Sequence, residues 1–248
     1  MPAFVLMKAF ENAPARYDGA MDLLTLGRVS MVKQEIAARV KGGGWVLDVG
    51  CGTGSLAIMM ARNGARVRGI DTSEPMLEIA RQRIASEDLE DRVGLRHLSA
   101  MEIDVLPPHS FDYVVSTLVL SELSDEERQY VLEAARRLLV LGGQLLVADE
   151  TMAPSRLRRL AVAALRFPLR LVAYLVSQAQ SLSPRRPALR LLYFAIELPL
   201  MLLVFFFVPP SSRPLADLEA RLEAAGFRVT SVRDYLGGTL RLVQAGAA

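Results

Sequence analysis

The amino-acid sequence predicts an α/β fold in which helices cover both faces of a mostly parallel sheet. Two observations support this fold class. Short apolar runs typical of buried strands alternate with longer runs in which apolar residues recur at helical spacing. Glycines mark the ends of the helical runs, at residues 42 to 44 and at Gly64. Strands that alternate with helices pair in parallel, because each helix crosses back over the sheet.

The elements follow each other in a regular order. Residues 20 to 41 have helical spacing, and after them come the strand "WVLDVG", the helix "TGSLAIMMARNG", the strand "ARVRGID", the helix "EPMLEIARQRIA" and the strands "GLRHLSA" and "FDYVVST". Ser124, with Glu127 three residues later, is expected to cap the next helix, which precedes a fifth strand, "GGQLLVADE". The pattern resumes near the end with a helix that stops at Gly226 and a hairpin across "RVTSVRDYLGGTLRLVQA".

Composition limits the classes of protein that need to be considered. A chain of 248 residues, 52% hydrophobic and 23% charged, is expected to form a single domain over residues 1 to 248, with residues 152 to 212 as an insertion. The net charge of +2 gives no overall basic field, so we expect no nucleic-acid partner. With one cysteine and two histidines we expect neither a disulfide framework nor a metal site. The first residues lack the features of a secretory signal, which predicts a cytoplasmic protein.

A glycine-rich turn is the strongest functional signal in the chain. In "VLDVGCGTG", Gly50, Gly52 and Gly54 separate a buried strand from a helix, so backbone N–H groups can approach a ligand at the positive end of that helix. Asp71 ends the next strand, where a carboxylate can accept both hydroxyls of a ribose. The combination indicates an adenosine-containing ligand. A dinucleotide site would have a third glycine where this chain has Ser55.

The pattern "VLDVGCGTG", followed by "GIDTSEPMLEIAR", resembles the class I S-adenosylmethionine-dependent methyltransferases. The resemblance implies a Rossmann-like sheet of seven strands with the last strand antiparallel, and S-adenosyl-L-methionine as the cofactor. It also implies that the glycines lie along the methionine part of the cofactor, that Asp71 holds the ribose and that Met76 packs on the adenine. The residues expected at the cofactor are Tyr17, Asp48, Gly50, Cys51, Gly52, Gly54, Asp71, Thr72, Met76, Ala100, Met101 and Ser116.

Further segments resemble the ubiquinone and menaquinone C-methyltransferases. These are "YDGAMDLLTLG" near the start, "RLLVLGGQLLVADET" and the closing "YLGGTLRLVQA". Val29 and Val32 stand where that family has a His and a Trp, and "SAME" replaces its Asp-Ala pair at the third strand. Methylation of an aromatic carbon benefits from a base that ionises the ring hydroxyl, and neither His97 nor His109 is expected to serve. The acceptor atom therefore stays open among carbon, nitrogen, oxygen and sulfur.

Polar residues at the strand ends are the candidates for contact with the methyl acceptor. Methyl transfer from a sulfonium depends mainly on in-line positioning and electrostatics, so few reactive groups are needed. Thr117, Ser121 and Glu150 are the candidate catalytic residues, with Glu122 a further polar neighbour. Ordinary capping or solvation is the alternative role for each. Cys51 has no basic partner in the sequence pattern, so we expect it to pack in the loop rather than act as a nucleophile.

The insertion, residues 152 to 212, is apolar, rich in arginine and interrupted by proline. Residues 156 to 177 place their arginines on one stripe of a helix, a pattern typical of contact with anionic lipid headgroups. Residues 191 to 208 are apolar but contain Glu197 and Pro199, and they are only marginally long enough to span a bilayer. We expect an in-plane or shallow re-entrant lid, because the enzyme domain resumes after it.

Together these features predict a cytoplasmic enzyme, peripherally or monotopically associated with the membrane. It is expected to transfer the methyl group of S-adenosylmethionine to a lipophilic small molecule, a quinone-type or isoprenoid ring. The alternatives are methylation of a phospholipid amine or of a small apolar thiol or phenol. A second alternative is a membrane-bound assembly protein that binds the cofactor without turnover. The sequence predicts nothing about oligomeric state.

Overall fold

The computed structural model describes residues 17–25, 27–151, 215, 217–235 and 238–247. Its helices are α1 (Tyr17–Thr25), α2 (Arg28–Arg39), α3 (Ser55–Arg62), α4 (Glu74–Ala85), α5 (Asp125–Leu138) and α6 (Leu218–Ala224). Its strands are β1 (Trp45–Val49), β2 (Arg66–Asp71), β3 (Val93–His97), β4 (Phe111–Thr117), β5 (Leu139–Glu150), β6 (Phe227–Tyr235) and β7 (Leu240–Ala247). Two 3₁₀ turns, Ala100–Val105 and Leu120–Glu122, flank β4.

The described strands form one seven-stranded sheet in the order β3-β2-β1-β4-β5-β7-β6. The pairs from β3 through β5 are parallel, whereas β7 runs antiparallel to both β5 and β6. Apolar residues of α5 and α6, among them Leu132 and Leu222, pack on one face of the sheet. Residues of α2, α3 and α4, among them Ile36 and Met60, pack on the other face. The predicted Rossmann-like α/β fold is confirmed.

Local sequence signals account for most element boundaries. Ser124 and Glu127 form the predicted capping box at the start of α5, in which each side chain accepts the other residue's backbone N–H. The single helix predicted over residues 20 to 41 is instead two helices. Gly27 has a φ of 72°, and this left-handed conformation ends α1 and turns the chain into α2.

The predicted insertion joins the fold at the carboxyl end of β5. Thr151 and Leu215, which lie on either side of it in the chain, pair as a parallel bridge, and Leu215 N–H donates to the carbonyl oxygen of Glu150. The two segments predicted to contact the membrane, residues 156 to 177 and 191 to 208, lie outside the described residues. Within the described part of the chain, no helix is both long and apolar enough to cross a bilayer.

Candidate active site

A cavity of about 470 Å³ lies at the carboxyl ends of β1, β2 and β4. The strand order reverses at β1, between β2 and β4, which is where open α/β sheets bind ligands. Most residues predicted at the cofactor line this cavity, namely Tyr17, Asp48, Gly50, Cys51, Gly52, Asp71, Thr72, Met76 and Ala100. The remaining three, Gly54, Met101 and Ser116, do not.

Packing explains why two of these three lie elsewhere. Gly54 caps α3 in the left-handed conformation, and a Cβ on it would lie 2.9 Å from the Cβ of Ala80, so this glycine permits close packing of α3 on α4. Met101 packs against the core on the α5 side of the sheet. Leu98 and Ser99 line the cavity next to Ala100, and the Ser99 hydroxyl accepts the Met101 N–H at 3.1 Å.

The glycine loop is fixed from beneath by strand β2. The N–H groups of Gly50 and Cys51 both donate to the carbonyl oxygen of Ile70, at 2.9 and 3.0 Å. Asp71 holds the loop from the side, because its Oδ2 accepts the N–H of Gly52 at 2.8 Å while its Oδ1 accepts the N–H of Ser73 at 2.8 Å. Each oxygen keeps lone-pair capacity for a ligand hydroxyl, since an ionised carboxylate has about four acceptor positions.

Asp48 is a buried acid in the cavity wall, with 1% of its surface exposed. Its Oδ2 has no hydrogen-bond partner among the described residues. Burial raises the pKa of Asp48 to about 7, the positive charge of Lys33 opposes the rise, and the charge of Asp71 adds to it. Lys33 lines the same cavity and donates to the Ser55 hydroxyl at 2.6 Å. A buried acid with an unpartnered oxygen fits a cationic ligand group.

Cys51 is unsuited to nucleophilic chemistry. It is a buried free cysteine, and burial raises the pKa of its thiol well above the ordinary value, with the charges of Asp48 and Asp71 adding to the rise. A Cβ on Gly69 would lie 2.9 Å from the Cys51 sulfur, so the thiol fills the space that this glycine leaves. These contacts are consistent with the expected packing role.

The end of β4 and the segment after it form a more apolar part of the cavity wall. The residues that contribute are Thr117, Leu118, Val119, Glu122 and Leu123. Leu118 has a φ of 61°, a strained conformation for a leucine. The Oγ1 of Thr117 is buried and has no partner among the described residues. Backbone strain beside an unpartnered polar atom is typical of a functional site.

The other two candidate catalytic residues do not reach the cavity wall. Ser121 is buried, and its backbone N–H donates to Asp149 Oδ2 at 3.1 Å. Asp149 also accepts the N–H of Glu150 at 2.7 Å. Burial raises the pKa of Asp149 to about 6 against the lowering effect of the hydrogen bonds from Ser121 and Glu150. Asp149, unremarked in the sequence, thus anchors the 3₁₀ turn that carries the apolar wall.

The two histidines lie away from this chemistry. His97 is exposed on the edge strand β3, with Nε2 2.8 Å from the carbonyl oxygen of Thr72. His109 is exposed, with Nδ1 3.0 Å from the carbonyl oxygen of Leu139. Within the described ranges, no cluster of His, Cys, Asp and Glu could hold a metal ion.

Sequence reasoning missed several residues of the cavity, including Met21, Lys33, Thr53 and Val119. Lys33 follows Val29 by four residues in α2, so the two share a helix face, and this spacing could have identified it. Thr53 lies inside the glycine loop itself. Val119 has no comparable signal, because its place depends on how the segment after β4 approaches Gly50.

Comparison with known proteins identifies the class that this fold and site define. Residues 46–143 match a family model described as a methyltransferase domain. The predicted methyltransferase domain is confirmed over these residues. A relative, 27-O-demethylrifamycin SV methyltransferase of Amycolatopsis mediterranei, is 38% identical over 117 residues, which are 47% of this chain and 42% of the relative. The demethylmenaquinone methyltransferase of Listeria monocytogenes is 37% identical over 147 residues, 57% of this chain and 60% of the relative. The chain thus spans 42% and 60% of the lengths of these relatives.

Solved structures share the fold at low sequence identity. An S-adenosylmethionine-dependent methyltransferase of Aquifex aeolicus has a TM-score of 0.59 at 20% identity, over 96% of this chain and 98% of its own. Magnesium protoporphyrin IX methyltransferase of Synechocystis, with bound S-adenosylhomocysteine, has a TM-score of 0.57 at 20% identity, over 89% of this chain and 82% of its own. The [4+2]-cyclase SpnF has a TM-score of 0.58 at 19% identity, over 86% of this chain and 78% of its own.

Proposed function

We propose that this protein transfers the methyl group of S-adenosylmethionine to a lipophilic acceptor, with a quinone-type or isoprenoid ring as the favoured class. The observation that carries the proposal is that charged and apolar side chains line the same cavity, and we call the two groups its polar wall and its apolar wall. Lys33, Asp48 and Asp71 lie on the polar wall, and Leu118 and Val119 on the apolar wall. A zwitterionic nucleoside cofactor matches the first wall and an apolar ring matches the second. A relative named demethylmenaquinone methyltransferase supports the acceptor class.

The residues of the polar wall fit the cofactor group by group. When bound, S-adenosylmethionine supplies a methyl group on a positively charged sulfur. We assign the unpartnered Oδ2 of Asp48 to its ammonium group and Lys33 to its carboxylate. Asp71 accepts the ribose hydroxyls with the lone pairs that the loop leaves open. Met76 and Leu98 offer apolar surface to the adenine.

Asp48 predicts a pH dependence of cofactor affinity. Only the ionised acid pairs with an ammonium group, and the pKa of Asp48 is about 7. S-adenosylhomocysteine should therefore bind about tenfold more tightly at pH 8, where Asp48 is mostly ionised, than at pH 6. Because the folded-state pKa of Asp48 is raised, its contribution to stability is present at low pH and is lost as pH rises through about 7. Asp48→Asn should therefore raise the unfolding midpoint at pH 8 and flatten the pH dependence of binding. Calorimetry at the two pH values measures both effects, and an unchanged pH dependence in the variant would contradict the assignment.

Thr117 is proposed to contact the acceptor. Thr117→Val keeps the shape of the side chain and removes a buried hydroxyl that has no partner, so the fold should lose no stability. We expect kcat to fall about tenfold while the affinity for S-adenosylhomocysteine changes less than twofold. Ser116→Ala is the matched control, because its hydroxyl is also buried and unpartnered but does not line the cavity. An equal loss of turnover in both variants would assign the effect to strand β4 rather than to the site.

The function is tested with purified protein, labelled S-adenosylmethionine and a total lipid extract of the native cell. Label in a quinone or isoprenoid product supports the proposal, and the Asp71→Ala variant supplies the background. Label in a phospholipid amine would replace the proposed acceptor with the first alternative. A second candidate, O-methylation of an apolar hydroxyl compound, is favoured by the relative named 27-O-demethylrifamycin SV methyltransferase. Binding of S-adenosylhomocysteine without label in any fraction would favour an assembly protein.

We also propose that the protein works at the cytoplasmic surface of the membrane. The support is the apolar, arginine-rich sequence of residues 152 to 212 and its point of attachment at Thr151 and Leu215. That attachment follows the carboxyl end of β5, and the parallel strand β4 next to it ends at Thr117 in the cavity wall. Flotation with vesicles containing anionic phospholipid is expected to carry the full chain, and failure to float would contradict a surface role.

A further inference from the structure

The carboxylate of Asp18 joins helix α1 to four other parts of the fold. Its Oδ2 accepts the Thr53 hydroxyl of the glycine loop at 2.6 Å and a guanidinium N–H of Arg83 on α4. Its Oδ1 accepts the Ser55 hydroxyl at the start of α3 at 3.4 Å and lies 3.5 Å from the ammonium of Lys33 on α2. One side chain therefore holds α1 against α2, α3, α4 and the glycine loop.

The setting of Asp18 makes these contacts stronger than those of surface ion pairs. The side chain of Asp18 is 26% exposed and that of Lys33 is 15% exposed. Burial by itself would raise the pKa of Asp18, but Lys33, Arg83 and Thr53 together lower it below the ordinary value. The carboxylate is therefore ionised at neutral pH, and its contribution to stability is lost only as pH falls through that lowered pKa.

The neighbours of Asp18 on α1 form part of the cavity. Tyr17 precedes it and Met21 follows it by three residues, and both line the same cavity as the glycine loop. Met21 is buried. A shift of α1 away from Thr53 would open the wall that these two side chains form. The position of this wall thus depends on the contacts of Asp18.

Asp18 also influences the position of the Lys33 side chain. The Lys33 ammonium contacts both the Ser55 hydroxyl and Asp18, and Lys33 lines the same cavity as Asp48, whose pKa its charge lowers. The ion pair with Asp18 holds the Lys33 ammonium beside Ser55, the residue that follows the glycine loop. The side chain assigned to the cofactor carboxylate is thus oriented by an acid that does not itself line the cavity.

We propose that Asp18 is a positioning residue. It holds α1 against the polar wall of the cavity and orients Lys33, and it thereby sets the affinity for the cofactor without contacting the cofactor. This inference rests on the proposed function of that wall as the cofactor site. The contacts of Asp18 with Thr53 and Arg83 join residues that are 35 and 65 positions apart in the chain, so they form only when the domain is folded.

The test compares three variants of the full chain by calorimetry with S-adenosylhomocysteine. Asp18→Asn should weaken binding about tenfold, because a neutral amide loses the charge-assisted contacts with Arg83 and Lys33. Asp18→Glu keeps the charge and should recover most of the affinity. Asp22→Asn is the matched control: Asp22 lies one turn along α1, its carboxylate accepts the Ser30 hydroxyl at 2.6 Å, and it does not line the cavity. It should bind within twofold of wild type.

Hydrogen exchange of α1 amides separates positioning from a purely structural role. Asp18→Asn should speed exchange in residues 17 to 25 of the ligand-free protein, and S-adenosylhomocysteine should restore part of the protection. A lowered unfolding midpoint with unchanged affinity would overturn the proposal and leave Asp18 a structural residue. Equal losses of affinity in Asp18→Asn and Asp22→Asn would also overturn it. If wild type itself fails to bind S-adenosylhomocysteine, the proposed function fails first.

Discussion

Asp71→Ala is expected to weaken binding of S-adenosylhomocysteine about a hundredfold, or about 3 kcal/mol. The change removes the acceptor of the Gly52 and Ser73 N–H groups, which both lie 2.8 Å from the carboxylate. It also removes the group proposed to hold the ribose. Because the loop loses its lateral support as well as a ligand contact, the effect should exceed that of any other single polar change in the cavity. Calorimetry of the purified variant measures it.

Two further variants serve as controls for Asp71→Ala. Asp71→Asn keeps one oxygen acceptor and should lie between wild type and Asp71→Ala. Asp91→Ala removes an exposed acid that precedes β3 and does not line the cavity, so its affinity should match wild type. Wild-type affinity in Asp71→Ala would refute both the anchoring of the loop and the ribose assignment.

Gly50→Ala is expected to reduce cofactor affinity at least about a hundredfold. Gly50 has a φ of 73°, which alone costs an alanine about 1–2 kcal/mol. In addition, a Cβ at this position would overlap the Cγ2 methyl of Val119. Since Val119 lines the cavity and follows the strained Leu118, relief of the overlap must displace either the loop or the apolar wall. Both displacements change the cavity.

Two controls separate backbone strain from the overlap with Val119. Gly142 has a φ of 75°, and a Cβ there would meet nothing within 4 Å, so Gly142→Ala should cost stability alone and leave affinity unchanged. Val119→Ala in the Gly50→Ala background removes the overlapping methyl, and the next atom, the Cβ of residue 119, lies 3.5 Å away. The double variant should regain at least about tenfold in affinity. No recovery would show that the strained φ is the whole cause.

The fold by itself does not fix the reaction. The structures that share it include methyltransferases and a [4+2]-cyclase, all at about 20% identity. We therefore propose that the wall formed by Thr117 to Leu123 selects the acceptor. Among the five residues from Thr117 to Leu123 that line the cavity, only Glu122 carries an ionisable group. Such a wall favours an acceptor that is apolar and reacts once it is aligned with the methyl group.

Much of the fold and the polar wall could be predicted because their signals are local. Periods of two and of about 3.6 residues identify strands and helices from neighbours in the chain. The glycine loop and Asp71 belong to one strand, turn, helix and strand, so their relative places follow from a short segment. The break at Gly27 was missed because apolar spacing continues through it on both sides, although the glycine itself is visible.

The part of the cavity wall proposed to contact the acceptor was less predictable, because side-chain direction at a strand end depends on packing. Thr117 reaches the cavity, whereas Ser116, its neighbour on β4, does not. Glu150 is predicted from its place at the end of β5, yet the buried residue before it, Asp149, is the one that anchors the turn at Ser121. Successive residues of a strand point to opposite faces, and the sequence does not say which face meets the ligand.

The sequence by itself determined the class of fold, the glycine loop and the acid that follows it, because each depends on residues that are close in the chain. Only the tertiary structure decided which distant residues meet. It brought Asp18 to Arg83, Val119 to Gly50 and Lys33 to the wall that holds Asp48. These contacts arise from the packing of helices on one sheet, and no local periodicity encodes them.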